Sequence, residues 1–157
     1  MGLFGRSKVT AGLDIGSGFV KLVVVDHSKG DPEITKVATS PLVPDAIVEG
    51  EVMDPVLVAE TIRSVVDAAG MKGKDVVAAV GGHDVIIKKI QMDRMNDAEA
   101  RELIRWEAHQ HVPFDMESVQ LDFQILDPGG DGAQMSVLLV AAKRELIENR
   151  MALLADA

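Results

Sequence analysis

The residues best suited to chemistry lie close together near the N-terminus, in the segment GLDIGSGFVKLVVVD. Asp14 offers a carboxylate that could hold Mg²⁺ through water, and Lys21 offers an ammonium group for a β- or γ-phosphate. Between them, Gly16, Ser17 and Gly18 form a turn whose successive N–H groups make an anion-binding concavity, with the serine hydroxyl as a further donor. The same residues are equally typical of an ordinary glycine hairpin, so the segment alone leaves both interpretations open.

The residues after this turn exclude the two commonest phosphate-binding loops. A Walker A loop requires GxxxxGK[ST] followed by a helix, and the chain has no such pattern. A dinucleotide-binding fingerprint requires GxGxxG at the start of a helix, whereas Lys21 occupies the position of the third glycine. Phe19–Asp26 is rich in Val and predicts a strand. A phosphate site at this place would therefore be the turn of a β-hairpin.

The composition of the 157 residues limits the classes of partner. The formal net charge is −9, which opposes non-specific binding to DNA, RNA or anionic lipid through long-range repulsion. Cysteine is absent, which excludes disulfides and zinc–thiolate sites and agrees with a reducing cytoplasm. No apolar run approaches the roughly 20 residues that span a bilayer. We therefore expect a globular protein of one domain or two small subdomains, with no nucleic-acid partner and no transmembrane segment.

The first half of the chain has the pattern of a mixed sheet with one helix. Three segments have strand composition and short connections, which predicts an antiparallel meander: Val9–Ile15, Phe19–Asp26 and Glu33–Ser40. Asp54 and Pro55 are typical of a helix start, and Gly70 is typical of a helix end. Asp75–Val80 then predicts a buried strand, which a right-handed crossover would place parallel in the same sheet.

The second half predicts three further strands and two helices. Asn96 begins a helix with Glu99 completing a capping box, and Pro113 ends it. A turn is predicted at Pro128-Gly129-Gly130-Asp131-Gly132, and a last helix begins at Lys143. The predicted strands are Asp84–Met92, Val119–Leu126 and Gln134–Ala142.

Other chemically distinctive side chains carry weaker signals. His109 and His111 suggest a metal pair, but residues two apart on a helix point in different directions. Trp106, the only Trp, lies off the main apolar stripe of its helix and suits a subdomain boundary, a core position or a partner contact. Lys88 and Lys89 interrupt an apolar strand, which is typical of solvated edge protection.

The segment LDIGSGFVK, Leu13–Lys21, resembles the first phosphate motif of the actin-like ATPase superfamily, which includes actin, DnaK-type chaperones, sugar kinases and the cell-division protein FtsA. The resemblance implies an α/β fold with a ribonuclease H-like core subdomain and a mixed sheet, and it implies ATP and Mg²⁺ as ligands. It also implies that Asp14 lies near Mg²⁺, through water. The implied cofactor-binding residues are Asp14, Gly16, Ser17, Gly18, Phe19 and Lys21.

Within this superfamily, the chain as a whole is similar to the PilM family of type IV pilus assembly proteins. The segments that carry the similarity are Leu3-Phe4, Trp106-Glu107-Ala108 through His111-Val112-Pro113-Phe114 with Val119 and Asp122-Phe123 after it, and VLLVAAKRELIENRMALLADA from Val137 to Ala157. This resemblance implies that residues 1–82 begin the core subdomain and that residues 83–134 form a small inserted α+β subdomain of the FtsA/PilM type. Residues 135–157 are then expected to return to the core subdomain as a strand and a helix.

The PilM resemblance implies a cytoplasmic ATP-binding scaffold at the inner membrane that serves pilus assembly and twitching motility. Its implied partners are the PilN N-terminal cytoplasmic peptide, docked between the core and inserted subdomains, the PilN/PilO complex, the motor ATPases and the platform protein. A homo-oligomer or ring is a further arrangement that the sequence leaves open. ATP is expected as a structural or switching ligand with slow or absent hydrolysis, because no residue here is a convincing general base.

The last helix runs to Ala157 without a glycine or a cap, so we expect the chain to be the front part of a longer protein. The second phosphate loop and the adenosine-binding segment of the superfamily do not appear in it, so the ATP site is expected to be incomplete. The alternatives are an FtsA-like cell-division protein, an actin-like domain of a type II secretion component and a sugar-kinase-type phosphotransferase. A C-terminal amphipathic helix, a following transmembrane helix or a catalytic Asp with a sugar pocket would distinguish them.

Overall fold

The computed structural model describes residues 9–71, 75–128 and 130–157. The chain divides into two compact units, the first from residues 1–79 and 152–157 and the second from residues 80–151. Each unit has its own main sheet and its own apolar core. The predicted motif Leu3-Phe4 and Gly129 of the predicted turn lie outside the described residues.

The first unit is built on a four-stranded sheet in the order β3-β2-β1-β6. The strands of this unit are β1 (Val9–Ile15), β2 (Phe19–Asp26), β3 (Glu33–Pro41), β4 (Ile47–Val48), β5 (Glu51–Val52) and β6 (Val77–Ala78). Of these, β4 and β5 form a separate two-stranded sheet. β1, β2 and β3 pair antiparallel and β6 pairs with β1 in parallel, which confirms the predicted meander and crossover. Leu13, Val20 and Leu22 are buried on one face, so the residues between them point to the opposite face.

Helix α1 (Pro55–Ala68) covers the apolar face of this sheet. The Asp54 side chain accepts a hydrogen bond from the Leu57 amide at 3.0 Å, and proline occupies the first turn, as predicted. Gly70 ends the helical segment with φ of +56°, a left-handed conformation that glycine adopts without strain. Val58 and Val65 are almost fully buried against the sheet, and burial of each such side chain contributes about 1.5–3 kcal/mol.

Two details of the first unit differ from the sequence expectation. The short hairpin of β4 and β5 was not predicted, because Glu49-Gly50 lacks the Asn-Gly or Asp-Gly signal although both residues have positive φ, 51° and 91°. β6 is shorter than the predicted strand Asp75–Val80, and only Val77 and Ala78 pair, with Gly12 and Leu13 of β1.

The second unit packs one helix on a three-stranded antiparallel sheet in the order β7-β9-β8. Asn96 and Glu99 form the predicted capping box at the start of the helix, with both bonds at 3.0 Å. Ala100, Ile104 and Ala108 form its buried face. The elements are β7 (Val85–Asp93), α2 (Asp97–His111), β8 (Val119–Ile125) and β9 (Gln134–Lys143).

The central position of β9 departs from the expected domain organisation. Residues 135–157 were expected to return to the core subdomain, but β9 pairs with β7 and β8 and lies in the second unit. Every second residue of β9 is buried in the apolar core, namely Val137, Leu139 and Ala141. This alternation suits a central strand of either sheet, so the sequence alone did not distinguish between them. Helix α3 (Arg144–Asp156) follows. Its last residues, from Ala152 onward, and Ala157 belong to the first unit, where Leu153 is buried in the core.

Candidate functional site

The pairing of β1 with β2 places the two charged residues of the candidate phosphate-binding segment, Leu13–Lys21, opposite each other. Asp14 and Lys21 are direct cross-strand partners, and the Lys21 Nζ atom lies 2.8 Å from Asp14 Oδ2. Both point away from the apolar face that carries Leu13 and Leu22. Their side chains are 66% and 54% exposed for Asp14 and Lys21, so water weakens their mutual attraction and leaves both charges available to a ligand.

The turn between the strands is closed by one backbone bond, from the Gly16 amide to the Phe19 carbonyl at 3.1 Å. A Cβ atom at Gly16 would lie 3.3 Å from the same carbonyl oxygen, so glycine permits this tight closure, whereas Gly18 has open space around it. Leu42 holds the far side of the turn by donating to the Gly18 carbonyl at 2.9 Å. The turn is therefore fixed from both of its ends.

The amides at the tip of this turn remain available. Ser17 and Gly18 are exposed, and within residues 9–71, 75–128 and 130–157 neither amide donates a hydrogen bond. Phe19 is 52% exposed beside them. The donor set of two amides, one hydroxyl and one ammonium is of the kind that binds phosphate oxygens, and the adjacent carboxylate is of the kind that holds a hydrated Mg²⁺ ion. The predicted residues are thus in one place and chemically compatible with a Mg²⁺–polyphosphate ligand.

The second unit contains a polar cluster that the sequence did not reveal. The Arg94 guanidinium donates to the carbonyl oxygens of Asp127, Gly132 and Gln134, and it pairs with Asp127 Oδ2 at 3.1 Å. The Ser136 amide, followed by Arg94, holds the pKa of the Asp127 carboxyl below its ordinary value of 3.8. The side chains of Arg94 and Asp127 are both engaged in bonds that close the β8–β9 turn, so we assign the cluster to stability.

The remaining sequence candidates have defined positions. Lys88 does more than protect a strand edge, because its Nζ atom donates to the His111 carbonyl at 3.3 Å, at the negative end of α2. Trp106 is 76% exposed on the surface of that helix. Over the part of the chain that the structure describes, His109 and His111 join no group of three or more His, Asp or Glu side chains that could hold a metal ion. No described helix is long and apolar enough to cross a membrane.

Comparison with known proteins gives the family. The sequence model of the family of type IV pilus assembly protein PilM matches residues 12–157 of this chain. A solved structure of the PilM-PilN type IV pilus biogenesis complex is similar with a TM-score of 0.83 and 33% sequence identity, covering 98% of this chain and 45% of that chain. The cytoplasmic domain of EpsL, an inner membrane component of the type II secretion system of Vibrio cholerae, is also similar, with a TM-score of 0.54. That match covers 94% of this chain and 51% of the EpsL chain at 13% sequence identity, so it shows a shared fold only.

The chain thus spans about half the length of the structures that it matches, 45% and 51%. Its mixed α/β fold is the fold of the PilM structure, as the phosphate-type motif predicted. The family match includes the β1–β2 hairpin from residue 12 onward, as well as the whole of the second unit. The chain belongs to the PilM family of type IV pilus assembly proteins.

Proposed function

We propose that this protein is an actin-like ATP-binding scaffold of type IV pilus assembly, held at the cytoplasmic side of the inner membrane by the N-terminal tail of a PilN-type partner. The observation that carries the proposal is the similarity to a structure of the PilM-PilN complex over 98% of the chain at 33% identity. An identity of this size over nearly every residue supports a shared role more strongly than the fold alone would.

The β1–β2 hairpin supports the nucleotide part of the proposal. The Ser17 and Gly18 amides and the Lys21 ammonium group would bind phosphate oxygens, and Asp14 would hold Mg²⁺ through a water molecule. Gly16 gives the turn its close backbone contact, and the Phe19 carbonyl accepts the bond that closes it. These groups would form one wall of the site, and the other wall would correspond to the part of the matched PilM structure that this chain does not span.

Further partners extend the same proposal. A scaffold bound to a PilN-type tail would link a PilN/PilO complex to the motor ATPases and the platform protein, alone or as a homo-oligomer or ring. We also infer that the second unit, residues 80–151, corresponds to the small inserted subdomain that was expected over residues 83–134. Its compact sheet and helix, closed by their own core, support that assignment.

The partner proposal is tested by binding of a synthetic PilN tail peptide to the full-length protein, measured by calorimetry with and without Mg-ATP. We expect saturable binding in at least one nucleotide condition. A peptide with the same residues in scrambled order serves as the control. Absence of binding in both conditions would refute recruitment by this tail.

The nucleotide proposal is tested by two substitutions that separate the metal from the phosphate. Lys21→Ala is expected to weaken ATP binding about tenfold with or without Mg²⁺, because a charge-assisted bond to phosphate is lost. Asp14→Ala is expected to weaken only Mg-ATP binding, because without the metal its carboxylate repels the phosphates. Fluorescent-nucleotide titration of the full-length protein measures both effects.

A matched control is available in the same unit. Lys29, in the turn between β2 and β3, and Glu33, the first residue of β3, also form an exposed ion pair, with Lys29 Nζ 3.3 Å from Glu33 Oε2. Lys29→Ala and Glu33→Ala change the net charge as the two test substitutions do, and we expect unchanged affinity for ATP. Equal affinities of wild type, Asp14→Ala and Lys21→Ala would overturn the assignment of the hairpin.

A further inference from the structure

Helix α2 carries an apolar surface that no other described part of the second unit covers. Leu103 is 45% exposed and Trp106 is 76% exposed, three residues apart and therefore adjacent on the helix. The opposite face, with Ala100, Ile104 and Ala108, is buried against the sheet, so these two large side chains are not needed for the core. Trp is enriched at protein interfaces, and Leu103 adds exposed apolar surface beside it. We call Leu103 and Trp106 the Trp106 surface.

The helix that presents this surface is held at both ends. The capping box of Asn96 and Glu99 fixes its first turn, and Lys88 binds the His111 carbonyl at its last turn. Ala100 and Ala108, both fully buried, fix the helix on the sheet along its length. A partner would thus meet a preformed surface, which lowers the entropic cost of binding.

The charges around the Trp106 surface are acidic. Glu107 lies four residues after Leu103, and Glu102 lies four residues before Trp106, so both residues border the surface. The arginines of the helix are directed elsewhere. Arg101 pairs with Asp97 at 3.4 Å and lies over the Phe123 ring, and Arg105 donates to the Met116 carbonyl.

The indole of Trp106 adds a recognition element for a cation. Of the described aromatic rings, Phe123 and Phe114 already have a cation at 5.1 Å, from Arg101 and Lys143 respectively. Trp106 has no such contact among the described residues, although indole binds cations more strongly than the phenyl ring does. An apolar centre, an open indole face and a border of carboxylates together fit one kind of ligand, in which apolar side chains alternate with Lys or Arg.

We propose that the Trp106 surface docks a helical segment of a partner protein that carries apolar residues on one face and basic residues along its edges. Leu103 and the Trp106 ring would pack against the apolar face, and Glu102 and Glu107 would pair with the basic residues. The chain's formal net charge of −9 would speed the approach of such a segment. This surface goes beyond the proposed ATP and PilN sites and is separate from the PilN-tail proposal.

The test uses the full-length protein and three fluorescein-labelled peptides of about 18 residues, read by anisotropy. The first has Leu at helical spacing and Lys at the other positions. The second has Glu in place of Lys, and the third has the composition of the first but no apolar face. We expect saturable binding of the first peptide only, weakening as the salt concentration rises. Equal binding of the Glu peptide or of the third peptide would overturn the proposal.

Variants of the protein locate the site. Trp106→Ala is expected to weaken binding of the Lys peptide about tenfold or more, as truncation of an interface Trp does. Glu102→Lys should weaken it through repulsion, while Glu148→Lys on α3, an equal change of charge, should alter it far less. Circular dichroism checks that each variant is folded. Unchanged affinity in Trp106→Ala, or equal losses in Glu102→Lys and Glu148→Lys, would refute the assignment.

Two further results distinguish other occupants. Excess unlabelled PilN tail peptide should leave the Lys peptide bound, and displacement would show that the surface is part of the PilN site. Failure of the PilN peptide to bind at all would refute the proposed function and leave this proposal standing. Sedimentation of the protein alone should show no association that Trp106→Ala abolishes, because such association would make a second copy the occupant and overturn the proposal.

Discussion

The two units of this chain use their charged side chains differently. In the first unit, Asp14 and Lys21 pair with each other beside the hairpin turn, and both side chains are more than half exposed. In the second unit, Arg94 and Lys88 donate to backbone carbonyls that close a turn and a helix end. The Asp14–Lys21 pair is thus available for binding, whereas Arg94 and Lys88 are committed to structure.

The difference follows from how each unit closes its loops. The β1–β2 turn needs only the bond from Gly16 to Phe19 and the bond from Leu42 to Gly18, both between backbone atoms. In the longer β8–β9 connection, the Arg94 guanidinium donates to the carbonyls of Asp127 and Gly132, and it also donates to the carbonyl of Gln134, the first residue of β9. Four predictions test how apolar and charged side chains contribute in the two units, from the largest expected effect to the smallest.

The largest effect on stability is expected from a substitution in the apolar core of the first unit, where no charged side chain is involved. Leu22 is fully buried in the first unit, and Leu22→Ala should lower the free energy of unfolding by about 2–5 kcal/mol through lost burial and a cavity. Ile34→Ala, at a side chain 64% exposed in β3 of the same unit, should cost less than about 0.5 kcal/mol. Urea denaturation measures both, and similar losses would contradict the burial pattern.

The second prediction compares one charge from each unit. Arg94→Ala should destabilise the protein by about 1–3 kcal/mol, because the Gly132 and Gln134 carbonyls lose their donor. Lys21→Ala should change stability by less than about 0.5 kcal/mol, since its ion pair is exposed. Thermal and urea unfolding of the two variants test the contrast directly, which fails if Lys21→Ala is the more damaging change.

The third prediction compares the helix starts. Asn96→Ala removes the acceptor for the Glu99 amide in α2, and Asp54→Ala removes the acceptor for the Leu57 amide in α1. Each should cost about 1 kcal/mol, because one N–H of the first turn loses its partner. Asn96→Asp and Asp54→Asn keep an acceptor and should restore most of the loss. Hydrogen exchange of the first-turn amides would locate each effect, and no change in protection at α2 in Asn96→Ala would contradict the capping box.

The smallest effect is a dependence on pH. The Ser136 amide and Arg94 lower the pKa of Asp127, and the Ser28 hydroxyl and amide lower the pKa of Asp26 in the first unit. Because the folded pKa lies below the unfolded value near 3.8, each carboxylate stabilises the fold above that value and loses its contribution as the pH falls through the folded pKa.

Asp127→Asn and Asp26→Asn should therefore each make the acid side of the stability profile shallower below about pH 4. Urea midpoints between about pH 6 and about pH 2 measure the profile. In Arg94→Ala, the pKa of Asp127 should rise only in part, since the Ser136 amide is the larger cause. A full return to the ordinary value, measured by NMR titration of the carboxyl group, would show that Arg94 dominates.

Local signals in the sequence were sufficient for most elements of the fold. Asp54, Pro55 and Gly70 bounded α1, and Asn96 with Glu99 bounded the start of α2, because caps act within one turn of the helix. The candidate phosphate-binding residues from Asp14 to Lys21 were also indicated by the sequence, because a tight hairpin fixes their mutual geometry over a few residues. The β4–β5 hairpin was missed because Glu49 adopts a positive φ without a residue type that signals it.

The sequence by itself determined β1, β2, β3, β7, β8 and β9, the helices and the caps that begin α1 and α2, because each depends on residues close together in the chain. Only the tertiary structure placed β9 between β7 and β8, gave Arg94 its partners around residues 127–134 and left Trp106 uncovered on α2. These features depend on which distant segments meet. Alternating apolar residues indicate that a face is buried, but they do not say against which neighbour.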